Sequence, residues 1–365
     1  VFDTDMKITR RRFLGLIGAA AASAVLGYLG FNYLLPKKRQ LKVYNYSYYI
    51  DPKVIDKFEE LYNVEVIYDE YEAAEEAYAK IQLGGGGYDL IVLTDSYVPQ
   101  AIKQGLLQPI DHSLVPNIAN IEPKFFDNPF DPSFKYAVPY MWGTTGIGIN
   151  TKYIKEGEVE GYEQLFDTET FLPQHQGKAS MLEEFIEVID AAKLYLGVSL
   201  DDWSEKIVEE VIDLLKAQKP YLYGYVGASV YVPSLVSGSL HAAQAWSGDV
   251  LTAQEEEESV QYVVPKEGTW TWFDFMVIPK KSKAVDLAHA WINFMLEPDI
   301  AAANTEYVYY PNPLKRSLVE SYLSEEVLEN PAIYPPKGIE LFTPPLMTEE
   351  VLRIVERIST EVKSA

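Results

Sequence analysis

From residue 41 onward the chain alternates between two hydrophobic periodicities. Residues 41–45 and 64–68 read as short strands, and 88–93 reads as a buried strand. Between them, Pro52–Tyr62 places Val54, Ile55, Phe58 and Leu61 at helical spacing; 72–83 repeats the pattern, and a third helix is predicted around 97–104. This βαβαβα opening predicts a mostly parallel sheet covered on both faces. Gly84, Gly85, Gly86 and Gly87 stop the second helix; no Gly-Lys-Ser/Thr follows, so they form a turn and not a phosphate loop. Further helices are predicted at 181–196, 200–218, 285–296, 298–306, 314–323 and 348–362. Short strands are predicted at 137–139, 147–150, 221–225, 241–246, 260–264 and 270–278. An α/β chain of 365 residues is large for one domain, so two lobes are expected.

The first 40 residues follow another pattern. Lys7, Arg10, Arg11, Arg12, Lys37, Lys38 and Arg39 outnumber Asp3 and Asp5, and no residue from 14 to 35 is charged. At ~1.5 Å per helical residue such a run is long enough to cross a bilayer. Thr9-Arg10-Arg11-Arg12-Phe13-Leu14 resembles the twin-arginine export signal. Ala22-Ser23-Ala24 suits a cleavage site, although the apolar run continues past it. Residues 1–40 are therefore expected to be an export signal or a membrane anchor with a short linker. Either outcome puts the body outside the cytoplasmic membrane.

The whole chain has a net charge of −23, which argues against a nucleic-acid partner. It has no cysteine, which excludes disulfides, thiolate metal sites and thiol nucleophiles. Its four histidines form no metal-ligand spacing, so neither a metal nor a cofactor is expected. It is rich in rings: 27 Tyr, 15 Phe and 6 Trp, most of which must be core.

A series of short motifs then matches something known. Tyr44-Asn45-Tyr46-Ser47-Tyr48-Tyr49, Tyr88-Asp89-Leu90-Ile91-Val92, Val138-Pro139-Tyr140-Met141-Trp142-Gly143 and Gly146-Ile147-Gly148-Ile149-Asn150 occur in order. Trp246-Ser247-Gly248, Pro265-Lys266-Glu267-Gly268, Trp272-Phe273-Asp274 and Tyr310-Pro311-Asn312-Pro313 follow. Together they resemble the spermidine/putrescine-binding proteins of ABC importers, which belong to the type II periplasmic solute-binding proteins. The resemblance implies a two-lobed α/β fold, each lobe a mixed sheet flanked by helices, with ligand in the interlobe cleft. It implies one lobe of 41–145 and 275–313 and another of 146–274 and 314–365. The lobes would close on a polyamine and present it to a membrane permease, with no catalysis. Membrane contact would run through the N-terminal segment if that stays uncleaved.

A polyamine site needs carboxylates at ammonium spacing with flat apolar walls between them. Glu184 and Glu187 sit three apart near the start of the 181–196 helix, on one side. On sequence alone they read as solvated first-turn acids, the commonest place for Glu; the resemblance reverses this and makes them ligands of a terminal ammonium. The strand period puts Trp270, Trp272, Asp274 and Met276 on one face. Asp274 there is either a turn aspartate bonded to amides or, as the resemblance implies, an amine ligand with Trp272 beside it. Aromatic walls would come from Tyr46, Tyr49, Trp246, Trp272 and Tyr310, with polar contacts from Ser47 and Thr94. The family commonly has Trp at Tyr46, Glu at Tyr48 and Tyr at Ser96, so this chain lacks one acid of the first loop. Asp95 is expected to replace it. The family's serine near Ala228 and its glutamine near 342–345 do not carry over. Two other readings stand beside this one. Tyr309-Tyr310 resembles the tyrosine pair of ferric-ion binders, and acids among rings also suit an exported carboxylate hydrolase.

Overall fold

Residues 38–126, 128–155, 157–335, 340–342 and 347–365 are described by the computed structural model. The export-signal motif and the apolar run 14–35 lie outside them. Among the described residues no helix is long and apolar enough to cross a membrane.

The opening alternates β1 (Arg39–Tyr46), α1 (Pro52–Tyr62), β2 (Val64–Tyr71), α2 (Ala74–Gln82), β3 (Leu90–Thr94) and α3 (Val98–Lys103). β1 and β3 run parallel, Val43 opposite Leu90. α1 starts where Asp51 accepts from the Lys53 amide at 2.9 Å and Pro52 presets the first turn; it ends where Asn63 turns left-handed. Val54 and Phe58 of its predicted stripe are buried, but Leu61 faces solvent.

Next come β4 (Ala137–Asn150), β5 (Ala179–Leu182), α4 (Phe185–Leu196), α5 (Glu205–Gln218), β6 (Gly224–Val226), α6 (Ala228–Ser237), β7 (Ala242–Trp246), α7 (Ser247–Glu256), β8 (Val260–Val263) and β9 (Thr269–Val277). The strand order is β2-β1-β3-β9-β4-β7-β5-β6, with β8 beside β4. β4 joins two arms of this sheet. Its first half pairs antiparallel with β9, and its second half pairs antiparallel with β7 and β8. Two separate strands at 137–139 and 147–150 were expected. They are one strand of 14 residues, because Gly143, Gly146 and Gly148 keep extended conformations where their lack of a side chain suggests a break.

The helix expected at 181–196 begins later, at Phe185. Ala179–Leu182 is instead a buried strand, parallel to β6 and β7. A short apolar run suits either state, and the open edge of β7 decides it. Likewise 221–225 is a 3₁₀ turn (Lys219–Tyr221) leading into β6, and only Arg316–Val319 of 314–323 is helical. α8 (Val285–Met295) and α9 (Pro298–Val308) pack near α1, where Phe58 meets Trp291 at 4.9 Å between ring centres. β10 (Leu341–Phe342) adds to β9, and α10 (Glu349–Ser364) closes the chain.

Candidate functional site

The carboxyl ends of β1, β3 and β7 and the middle of β9 converge, as strand ends do at the ligand crevices of α/β sheets. Tyr46, Ser47, Tyr49, Thr94, Glu187, Trp246, Asp249, Trp272, Asp274 and Tyr310 line a chamber there. A second chamber shares Tyr46, Thr94, Glu187 and Trp272 with it and adds Asp95, Ser96, Glu184 and Asp190. Every site residue named from the sequence therefore lies in one chamber or the other. Glu184 and Asp95 line only the second.

Two glycines set the walls. Trp272 lies opposite Gly143 in the β4–β9 pairing, and a Cβ on Gly143 would come within 2.5 Å of the indole. A Cβ on Gly248 would come within 2.3 Å of the Val308 carbonyl and 2.7 Å of the Tyr310 ring. The rings then stand edge to face. Tyr49 meets Tyr310 at 5.2 Å, Trp272 meets Tyr310 at 5.2 Å, and Tyr46 meets Trp246 at 5.6 Å between centres.

The carboxylates of the first chamber hang from these rings. Tyr49 donates its hydroxyl to Asp274 at 2.8 Å, and the Trp246 indole N–H donates to Glu187 at 2.9 Å. The Trp272 indole donates to the Thr145 hydroxyl at 3.1 Å, which in turn donates to the other oxygen of Glu187. Asp249 accepts from Tyr310 at 2.8 Å and from Tyr231. Ser47 is spent on Glu72, donating at 2.8 Å, and Thr94 lies 3.3 Å from Asp95.

Geometry alters the sequence reading of Glu184. It is the residue preceding α4, not a first-turn residue, and accepts from the Ala74 amide at 2.7 Å. Both glutamates are buried, so neither is a solvated first-turn acid. Asp95 is likewise buried, accepting from the Phe273 amide at 2.9 Å and from Ser96 at 3.3 Å.

Asp249 and Asp190 were not among the sequence candidates. Asp249 directly follows Trp246-Ser247-Gly248, and Asp190 extends the three-residue spacing of Glu184 and Glu187. The three-residue spacing of Asp190 was legible, whereas nothing in the sequence sets Asp249 apart from an ordinary first-turn acid.

Burial governs the electrostatics. It pushes Asp274 up to about 8, against the Tyr49 hydrogen bond, and Glu187 up to about 8, against its Thr145 and Trp246 donors. Asp249 and Asp95 are each pushed up to about 7 by the same cause. Glu184 rises well above the usual range through burial and then through neighbouring Glu75. Asp190 also rises by burial, partly offset by Lys193. Among the described residues no Lys or Arg forms an ion pair with any of the six. Lys193 instead donates to the Leu200 carbonyl at 2.8 Å and lies over the Trp203 ring. The site is thus an aromatic cleft with more negative groups than the described residues neutralise, suited to organic cations.

The other readings fare differently in this geometry. The Tyr309 hydroxyl points to Glu255 and that of Tyr310 to Asp249, so the adjacent tyrosines do not converge on one point. Among the described residues no three His, Cys, Asp or Glu are placed to hold a metal ion.

Comparison with known proteins agrees with this picture. SpuD, a putrescine-binding periplasmic protein of Pseudomonas aeruginosa, is 32% identical over 89% of this chain and 92% of its own. PotF, a putrescine-binding periplasmic protein of Escherichia coli, is 30% identical over 98% of this chain and 99% of its own. A spermidine/putrescine ABC transporter protein of Listeria monocytogenes has a solved structure that superposes with a TM-score of 0.81 at 32% identity. The match covers 89% of this chain and 99% of that one. Residues 53–335 match a family described as bacterial extracellular solute-binding protein, a binding family and not an enzyme family. The chain belongs to the bacterial extracellular solute-binding protein family.

Proposed function

We propose that this chain captures a polyamine outside the cytoplasmic membrane and delivers it, unaltered, to the permease of an ABC importer. One observation carries the reading: buried carboxylates lie among aromatic rings, and no Lys or Arg of the described residues forms an ion pair with them. A linear amine brings the missing charges, and its methylenes lie against Tyr46, Trp246, Trp272 and Tyr310. Each ring near an ammonium adds ~0.5–2 kcal/mol of cation–π attraction. The likeness to the putrescine-binding proteins SpuD and PotF supports the same ligand class.

The lobes we propose are 41–145 with 275–313 and 146–274 with 314–365, closing on the amine by a hinge in the strands that cross between them. The segment before residue 41 is our candidate for the export signal or anchor, and the permease our candidate partner.

A hydrolase reading finds less support. Acid–base catalysis needs two carboxyls whose pKa values are driven apart, whereas burial lifts these six together.

Thermal unfolding tests the proposal. Spermidine or putrescine at millimolar concentration raises the melting temperature by several degrees, as ligand linkage requires. A protein stabilised by ferric ion, with a visible phenolate band, and indifferent to amines would overturn it.

A further inference from the structure

Two helices begin without a capping side chain of their own. α2 opens at Ala73 and α6 at Gly227, and neither residue has a side chain that accepts from the first-turn amides. Both helices are capped from elsewhere in the chain. Glu184, just before α4, accepts from the Ala74 amide at 2.7 Å. Glu72, just after β2, accepts from the Ser229 amide at 3.3 Å. A carboxylate suits the positive end of a helix, so each contact is favourable in charge as well as in hydrogen bonding.

The two contacts run in opposite directions across the proposed lobe boundary. Glu72 belongs to the lobe containing 41–145 and reaches a helix of the other; Glu184 belongs to the lobe containing 146–274 and reaches a helix of the first. The Glu72 contact is built on both sides. Its other oxygen accepts from the Ser47 hydroxyl at 2.8 Å, which holds the carboxylate toward α6. Ser47 also lines the first chamber, so the support of Glu72 adjoins the ligand. On the far side Gly227 leaves the room. A Cβ there would lie 2.7 Å from the Cβ of Glu72 and would overlap its carboxylate. The φ of −84° and ψ of 178° at Gly227 are open to any residue, so the close approach of Glu72, and not the backbone, calls for glycine.

We propose that Glu72 and Glu184 form a reciprocal clasp between the lobes, each glutamate capping a helix of the opposite lobe, and that Glu72 sets how slowly a captured amine leaves. Glu72 is a positioning residue: it lines neither chamber and acts through the closed form. With the lobes apart, water solvates the same amides and carboxylates, so the clasp is too weak to shut the empty protein by itself. It adds to the contacts of a bound amine, and opening the cleft must break it. Association starts from the open form and does not depend on it. This rests on the polyamine ligand and the lobe division proposed above.

Stopped-flow tryptophan fluorescence of the full chain with spermidine and putrescine, alongside small-angle scattering, tests it on the wild type, Gly227→Ser and Glu72→Ala. Serine is among the best N-cap residues, so Gly227→Ser keeps α6 capped while its Cβ bars Glu72. Both variants release spermidine about fivefold faster or more, the worth of a lost cap. Their association rate constants stay within about twofold of the wild type, and the preference between the two amines is unchanged. Glu72→Gln, which keeps an acceptor oxygen, retains part of the slow release. Scattering shows the wild type contracting on spermidine. A wild-type release rate in either Gly227→Ser or Glu72→Ala overturns the clasp and leaves the polyamine reading and the lobes standing. A wild type that binds spermidine without contracting overturns lobe closure and the clasp with it. A wild type that binds no amine overturns the polyamine reading and the clasp together.

Discussion

Glu205, Glu209 and Glu361 surround Arg357 on the outer side of α10, with Arg357 donating to Glu205 at 2.8 Å and to Glu361 at 3.0 Å. Asp274, Glu187 and Asp249 are carboxylates too, but no Lys or Arg of the described residues reaches them. The hydrogen bonds of Arg357 lower Glu205 and Glu361 below the usual range, while burial raises the three cleft acids. On the surface, water already solvates charge and a salt bridge adds little. In the cleft, ionisation requires a cation that the described residues do not supply. The contrast separates acids that keep a protein soluble from acids arranged for a ligand.

The sharpest way to break this contrast is to neutralise a cleft acid. Asp274→Asn removes a charge whose tyrosine partner stays in place, and it weakens spermidine binding by about 3 kcal/mol, measured by calorimetry. Acidification acts on all the cleft acids together. Burial pushes Asp95 and Asp249 up to about 7 and Glu187 and Asp274 up to about 8, so lowering the pH from 8.5 to 6 protonates them and cuts affinity roughly tenfold or more. The same shifts set stability with the opposite sign. A carboxyl raised by folding stabilises the protein below its unfolded value of ~4 and loses that contribution as pH rises through the folded value. Without ligand, the melting temperature therefore falls between pH 5 and 8.5, and spermidine abolishes the fall.

Asp95→Ala comes next, costing ~1–3 kcal/mol of spermidine affinity. It also lowers the melting temperature, because the Phe273 amide loses its acceptor. Trp246→Phe keeps a ring but deletes the donor to Glu187, a loss of ~1 kcal/mol in binding. Arg357→Ala gives the smallest effect: little change in denaturant unfolding and no change in amine affinity. An Arg357 variant that altered binding would erase the distinction between the two sets of acids.

Much of this was legible before the structure. The helical spacing of Val54 and Phe58 and the buried run 88–93 define the opening of the sheet, since local periodicity and burial agree there. Where they compete, the sequence misleads. Ala179–Leu182 is apolar enough to extend α4 on paper, yet it pairs between β6 and β7. Gly143, Gly146 and Gly148 suggest a loop, yet they are where β4 passes close to other groups: the Trp272 indole, the Val263 carbonyl and the side chains of Leu235 and Val250. The site divides in the same way. Asp274 stood out because its strand is apolar on both faces, and Tyr46, Tyr49 and Trp246 because they follow strands. Asp249 did not, since an acid in a helix's first turn is unremarkable until Tyr231 and Tyr310 are seen to close over it.

The central claim is that the cleft acids bind a polyamine by exchanging protons for ammonium groups. Titrating spermidine into the protein at pH 7.5, in two buffers of different ionisation heat, measures binding and proton release together. The account predicts saturable one-to-one binding with net release of protons into the buffer; no saturation, or binding with no proton release, would contradict it.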